Sequence, residues 1–190
     1  MNMAQQLGAS DRQARIDALL DKADIYDCLV RQSRASDRGD RELFLSGFHA
    51  DAVIAAGPFV GGPEDLWVWA EDFQAKTYSA TFHKLLQQSC DIDGDTAHTE
   101  TYYLFVGCLL GGETNLMAGG RYIDRFERRD GVWGMVMRNN HVEWASAVPA
   151  MGNPLGVIPD LARNGLPAHD RSDPSYQRPL VNKRELNVPG

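Results

Sequence analysis

Apolar positions first recur at three- and four-residue steps, through Ile16, Leu19, Leu20, Ala23, Ile25, Cys28, Leu29 and Ala35. That spacing predicts an amphipathic helix, or two joined near Asp21. Ser10, followed by Asp11 and Arg12, suits its N-cap. Gly39, within Asp37-Arg38-Gly39-Asp40, suits its end. A short second helix takes Leu43, Phe44 and Phe48 as its apolar side. Ala52 to Ala56 reads as a strand, and Gly57-Pro58 and Gly61-Gly62-Pro63 punctuate the chain after it. Pro63 can open a third helix that carries Leu66, Trp67, Trp69, Ala70 and Phe73.

From about residue 80 the period changes to that of strands. Four long segments succeed one another, at about 80–92, 95–110, 113–129 and 132–145. They are separated by Asp93-Gly94-Asp95, Gly111-Gly112 and Arg129-Asp130-Gly131. Asp-Gly between strand-like runs is a strong hairpin signal, so this half is an antiparallel meander. Helices succeeded by strands predict one α+β domain, with the helices on one face of a curved antiparallel sheet. The domain is placed at residues 1–148 and an irregular C-terminal arm at 149–190, where seven of the nine prolines lie. Met151, Leu155, Val157, Ile158, Leu161 and Leu166 favour docking of the arm's first half on the domain or on a neighbouring subunit. A disordered tail is the competing reading.

Composition narrows the function classes. A net charge of −7 lacks the basic footprint of a nucleic-acid binder and the basic face that holds a protein to an anionic membrane. No apolar run reaches the roughly 20 residues a membrane span needs. Met1 to Arg15 carries no apolar signal-peptide core, so a cytoplasmic protein is expected. Cys28, Cys90 and Cys108 have no CxxC spacing and read as reduced, buried small hydrophobes.

No phosphate loop, HExxH, metal-ligand histidine spacing or GxSxG elbow occurs. A cofactor-free, metal-free acid–base mechanism is what remains for an enzyme. His83 shares a strand face with Thr81 and Leu85, opposite Phe82 and Lys84. Asp37 sits where the first helix ends, a place where the helix dipole disfavours a carboxylate; it is either held by another group or solvated. Arg138 shares a face with Val136 and Asn140 in a polar run that lines a pocket or nears the sheet rim. Tyr102, Tyr103 and Tyr122 are strand residues of a type suited to pockets or to packing. Trp67 and Trp69 face different ways on their helix, one toward the core and the other toward a pocket or interface.

Six fragments stand out in order: Ala35-Ser36-Asp37-Arg38-Gly39-Asp40, Phe48-His49-Ala50-Asp51-Ala52, Thr81-Phe82-His83, Asp91-Ile92-Asp93-Gly94-Asp95-Thr96-Ala97, Gly120-Arg121-Tyr122-Ile123-Asp124 and Phe126-Glu127-Arg128-Arg129-Asp130-Gly131-Val132-Trp133. Together they resemble the SnoaL-like branch of the nuclear transport factor 2-like superfamily, over roughly residues 12–147. Within that branch the chain is most similar to the scytalone dehydratase, hexachlorocyclohexane dehydrochlorinase and bile-acid dehydratase group. The resemblance implies a cone-shaped α+β barrel with the site inside, and a lyase without cofactor. It implies a catalytic His at His83, its partnering Asp at Asp37 and a pocket arginine at Arg138. Departures exist: Gln32 stands where the dehydrochlorinase has a lysine, and Val106 where the dehydratases have a second polar pocket residue. Gly120 and Tyr122 match the dehydratase's small polar pocket residues.

The expected function is elimination of water, halide or an aldehyde from a small hydrophobic, aromatic substrate. His83, Asp37 and Arg138 are the expected catalytic residues, and Tyr102, Tyr122, Asn140, Trp67 and Gln32 the expected substrate contacts. Tyr102 and Tyr122 are the candidate proton donors. An isomerase or cyclase using the same pair, or a non-catalytic binding or structural subunit, are the alternatives. A homo-oligomer is expected, with a trimer ahead of a dimer.

Overall fold

The computed structural model describes residues 9–152, 156–158 and 160–186. Helix α1 spans Ala9–Arg38, α2 Arg41–Leu45 and α3 Pro63–Thr77. The strands are β1 (Phe48–Ala56), β2 (Phe59–Gly61), β3 (Tyr78–Asp93), β4 (Thr96–Leu109), β5 (Thr114–Arg129) and β6 (Val132–Pro149). They form one six-stranded sheet in the order β2-β1-β6-β5-β4-β3. The fold class is α+β, with the helices on a curved sheet that does not close into a full barrel. The sheet is mixed, because β1 joins β6 in parallel while every other pair is antiparallel. A parallel neighbour requires a crossover, and the chain from α3 through the meander supplies it.

Helix α1 is one element of 30 residues, without a joint at Asp21. Asp21 is a docking point: its Oδ1 accepts from Trp133 Nε1 and from Arg128 Nη1, each at 2.8 Å. The buried stripe of α1 runs through Ile25, Cys28, Leu29, Gln32 and Ala35, spaced at helical intervals. Ile25, Cys28 and Leu29 pack with Cys90, Ala97, Phe126, Trp133 and Met135 into the main core. All three cysteines are free, and burial pushes the thiols of Cys28 and Cys90 up, so neither is an activated thiolate. A smaller cluster joins Ala35, Phe44 and Trp67, the last two with ring centroids 5.2 Å apart. Phe48 is not on α2; it starts β1 and packs against Phe44 from there.

Gly39 ends α1 with φ +60, and the amide of Asp40 donates back to the carbonyl of Ala35. Asp40 then caps α2, accepting from the amide of Leu43 at 3.2 Å. The Asp130-Gly131 turn has positive φ at both residues, as a tight type I′ hairpin requires.

The arm begins after Pro149, because β6 continues to that residue. Its docking on the helices is polar and begins at His169, which reaches the Asp37 carbonyl and Glu71. Tyr176 donates to Asp40 at 2.8 Å, Arg171 reaches Asp40 and Glu42, and Asp173 pairs with Arg38 at 3.5 Å. Of the residues expected to anchor the first half, Met151, Val157 and Leu166 are exposed, Ile158 and Leu161 are half-buried, and Leu155 lies outside the described residues. No described helix is long and apolar enough to cross a membrane.

Candidate active site

Two bulges decide which side chains face α1. On β3, Leu86 and Gln87 break the register against β4, so His83 lies opposite Phe105 rather than Val106. On β6, the chain slips by one residue at Val136, which brings Arg138 opposite Asp124. The inner face therefore carries Thr81 and His83 of β3, Tyr103 and Phe105 of β4, Tyr122 and Asp124 of β5, and Arg138 and Asn140 of β6.

The C-terminal end of α1 meets β3, a sheet edge whose backbone groups there have no strand partner. Asp37 occupies that edge. Its Oδ1 lies 2.7 Å from His83 Nδ1, and the amide of His83 donates to Oδ1 at 3.1 Å and to Oδ2 at 3.0 Å. The Thr81 hydroxyl lies 3.2 Å from the same carboxylate and 3.1 Å from Gln74 Oε1. These donors offset the unfavourable position of a carboxylate at a helix C-terminus. The imidazole presents Nδ1–H to Asp37, which leaves Nε2 as the free nitrogen; it has no hydrogen-bond partner among the described residues. The His83 ring also packs on Phe105, with centroids 5.0 Å apart.

Two cavities meet at Asp37. The first, about 320 Å³, is lined by His83, Leu85, Val30, Tyr26, Ser33 and the cationic Arg34, Arg38 and Lys84. The second, about 420 Å³, lies between α3, the start of β3 and the arm, and is walled in part by Pro167, Ala168 and His169.

Arg138 does not belong to that pair. Its Nε and Nη2 donate to Asp124 Oδ1 and Oδ2 at 2.8 and 2.7 Å, and its guanidinium lies 3.9 Å from the centroid of Tyr122. Tyr122 stacks in turn on Tyr103 at 4.3 Å. Burial pushes the Asp124 carboxyl up, but a bidentate contact with a guanidinium that does not lose its proton keeps the pair ionic. Burial also pushes up the hydroxyls of Tyr122 and Tyr103, so both remain neutral. Asn140 lies against the Tyr103 hydroxyl, and its Oδ1 is buried without a partner among the described residues.

Of the residues singled out from sequence, the structure brings His83 and Asp37 together, and separately Arg138, Tyr122 and Asn140. Three lie elsewhere. Tyr102 points to the outer face beneath Arg121, because alternation puts it opposite Tyr103. Trp67 is core, against Phe44. Gln32 is buried and donates to the carbonyl of Gly47 at 3.2 Å, fastening α1 to the turn before β1. Sequence reasoning missed Asp124 and Phe105, and did not separate Tyr103 from Tyr102. Among the described residues no group of three or more His, Cys, Asp or Glu side chains is placed to hold a metal ion.

The fold is shared by several solved structures. A hexachlorocyclohexane dehydrochlorinase, LinA type 2, superposes with a TM-score of 0.68 at 22% identity, over 75% of this chain and 99% of that one. The LinA-type3 enzyme from Novosphingobium barchaimii gives 0.65 at 22%, over 73% and 96%. A provisionally named scytalone dehydratase from Novosphingobium aromaticivorans gives 0.62 at 18%, over 73% and 95%. A search of curated proteins finds no match. The profile of the SnoaL-like domain matches residues 17–139, which is more than half of the chain, and the protein belongs to that family.

Proposed function

We propose that this chain is a cofactor-independent lyase in which His83 is the base. The observation that carries the reading is the 2.7 Å contact between His83 Nδ1 and Asp37 Oδ1, with Nε2 left free in a residue that also lines a cavity. Asp37 fixes the tautomer that makes Nε2 the proton acceptor, and stabilises the imidazolium that forms when Nε2 takes a proton. The substrate is a small, largely apolar molecule, since Val30 and Leu85 flank the base. Removal of its proton expels water, halide or, after a hydroxyl proton is taken, an aldehyde. Ser33 and Tyr26 line the same cavity, and a hydroxyl of either could hydrogen-bond a departing oxygen. The similarity of fold to a dehydrochlorinase and a named dehydratase supports elimination over other uses of the pair.

The role expected for Arg138 is revised. With its charge matched by Asp124 and its face covered by Tyr122, it serves as a packed scaffold and not as the stabiliser of a leaving anion. The test is a mass-spectrometric screen of the purified protein against hydroxylated and halogenated ring compounds, with His83→Ala and Asp37→Asn alongside. A product lighter than its substrate, lost in both variants, is expected. Turnover that survives both substitutions refutes the mechanism, and a product of unchanged mass replaces elimination by isomerisation.

A further inference from the structure

The cavity that holds His83 is cationic in a protein whose net charge is −7. Arg34, Arg38 and Lys84 line it, and Asp37, already engaged by His83, is the carboxylate among its lining residues. Most arginines of the described structure spend their charge on acids, as Arg121 does on Glu100 and Glu143, or Arg129 on Asp51 and Glu127. Arg38 shares that habit through Asp173. Arg34 and Lys84 do not, for neither forms an ion pair among the described residues.

Arg34 is nonetheless fixed in place. Its Nη2 donates to Ser175 Oγ at 3.1 Å, and its guanidinium lies 4.8 Å from the ring centroid of Tyr176. Both partners are neutral and belong to a short 3-10 turn of the arm, Pro174–Tyr176. Lys84 rests its ammonium 5.3 Å from the Phe82 ring, again a neutral partner. A guanidinium oriented by neutral groups beside a cavity keeps donors in a fixed fork that fits a carboxylate.

We propose that the substrate carries a carboxylate, which Arg34 binds with Lys84 at the rim of this cavity while its apolar body lies against Val30 and Leu85 beneath His83. The inference deepens the elimination reading and rests on it for the use made of the bound molecule. Anion binding itself is separable from turnover. The arm thereby contributes to recognition: it aims Arg34 without neutralising it.

The test is calorimetric titration of the full chain with matched pairs, benzoate against benzamide and 2-naphthoate against 2-naphthamide. The carboxylates are expected to bind about tenfold more tightly than their amides. Arg34→Gln is expected to bring each pair to near parity, and Lys84→Gln, at an exposed position that leaves folding intact, to reduce the gap about threefold. The preference is expected to persist in His83→Ala. Equal affinity for acid and amide, no binding of either carboxylate, or a gap unchanged in Arg34→Gln and in Lys84→Gln overturns the proposal. A gap that persists while turnover also survives His83→Ala leaves the anion site standing and removes the elimination reading alone.

Discussion

Asp37–His83 and Asp124–Arg138 are two acid–base pairs anchored on the same face of one sheet, and they are built for opposite ends. In the first, the side chains are 11% and 21% exposed, one nitrogen has no partner among the described residues, and His83 lines a cavity. In the second, Asp124 is fully buried and Arg138 is 12% exposed, two parallel hydrogen bonds join them, and an aromatic ring lies over the guanidinium. On the proposed reading the first keeps a lone pair available, and the second holds the strands in register. Charge on a conspicuous residue is therefore a poor guide to chemistry. What separates a working group from a scaffold is whether its partner consumes the valence that chemistry needs.

The comparison breaks most readily at Asp124. Asp124→Ala strands a buried guanidinium and is expected to cost about 3–5 kcal/mol, read as an earlier midpoint in urea unfolding. Replacing both partners with apolar residues, Asp124→Leu with Arg138→Met, is expected to recover most of that loss, because the penalty comes from the unpaired charge and not from the absence of the pair. A single variant as stable as the parent would show that the second pair is not the scaffold described.

The opposite signature is expected at the first pair. His83→Ala removes the proposed base and is expected to lower turnover by about 10²–10⁴-fold. Its effect on the urea midpoint is expected to be smaller, about 1–2 kcal/mol for one hydrogen bond to a charged group. Asp37 keeps the backbone amide of residue 83 and the Thr81 hydroxyl in that variant. An Asp124-like loss of stability would make His83 a structural clamp.

Much of this is legible in the sequence alone. The helical stripe, the hairpin turns and the Thr81-His83-Leu85 face all come from local periodicity, and Asp37 from its awkward place at a helix end. What escapes it on the inner face of the sheet has one physical source, the bulges. Counting back from the Gly94-Asp95 turn with no slip sets Val106 opposite His83 and puts Tyr102 on His83's face. The extra residue at Leu86–Gln87 exchanges them for Phe105 and Tyr103. Counting from the Asp130-Gly131 turn sets Met137 opposite Asp124, and the slip at Val136 hides the ion pair. A bulge is an unpaired residue with no sequence signature of its own, so alternation alone cannot find it. Docking of the arm escapes for a different reason. Its apolar residues suggest burial, whereas the contacts made are those of Asp40, Asp173, Arg171 and Tyr176.

The arm sharpens the comparison because it grips the end of α1 that carries Asp37, together with α2 and α3. Asp173 is central to that grip. Burial pushes its carboxyl up, but hydrogen bonds from Ser175 and Ala168 and the nearby Arg38 outweigh it and bring it down to about 2. A lowered value means that the folded arm favours the ionised form. Its contribution is complete above the ordinary value of 3.8 and is lost as pH falls from there toward about 2. Hydrogen exchange at residues 167–178, corrected for its intrinsic pH dependence, is expected to accelerate across that window, and Asp173→Asn to show the acid-state rate already at neutral pH. Exchange unchanged down to the lower limit would detach the arm from Asp173.

The smallest effect belongs to His169, which sits on the carbonyl of Asp37 at 3.2 Å and within 3.3 Å of both oxygens of Glu71. Both ring nitrogens face acceptors, so the imidazolium is the form that fits. Hydrogen bonding to Glu71, opposed by burial, raises its pKa above 6.5. The sign is the reverse of that for Asp173: the contribution is complete below 6.5 and disappears as pH rises through the raised value. Exchange at residues 167–169 is expected to quicken between mildly acid and alkaline pH by less than about fivefold, the ceiling for an exposed ion pair of at most about 1 kcal/mol. His169→Gln is expected to abolish that dependence while leaving the acid transition of Asp173 in place. The arm would then be held most firmly between the two transitions, and the end of α1 that carries Asp37 with it. Arg138, whose pair no arm residue touches among those described, would report the same environment throughout, and a pH response at Arg138 that tracks His169 would show that the two pairs are not separate after all.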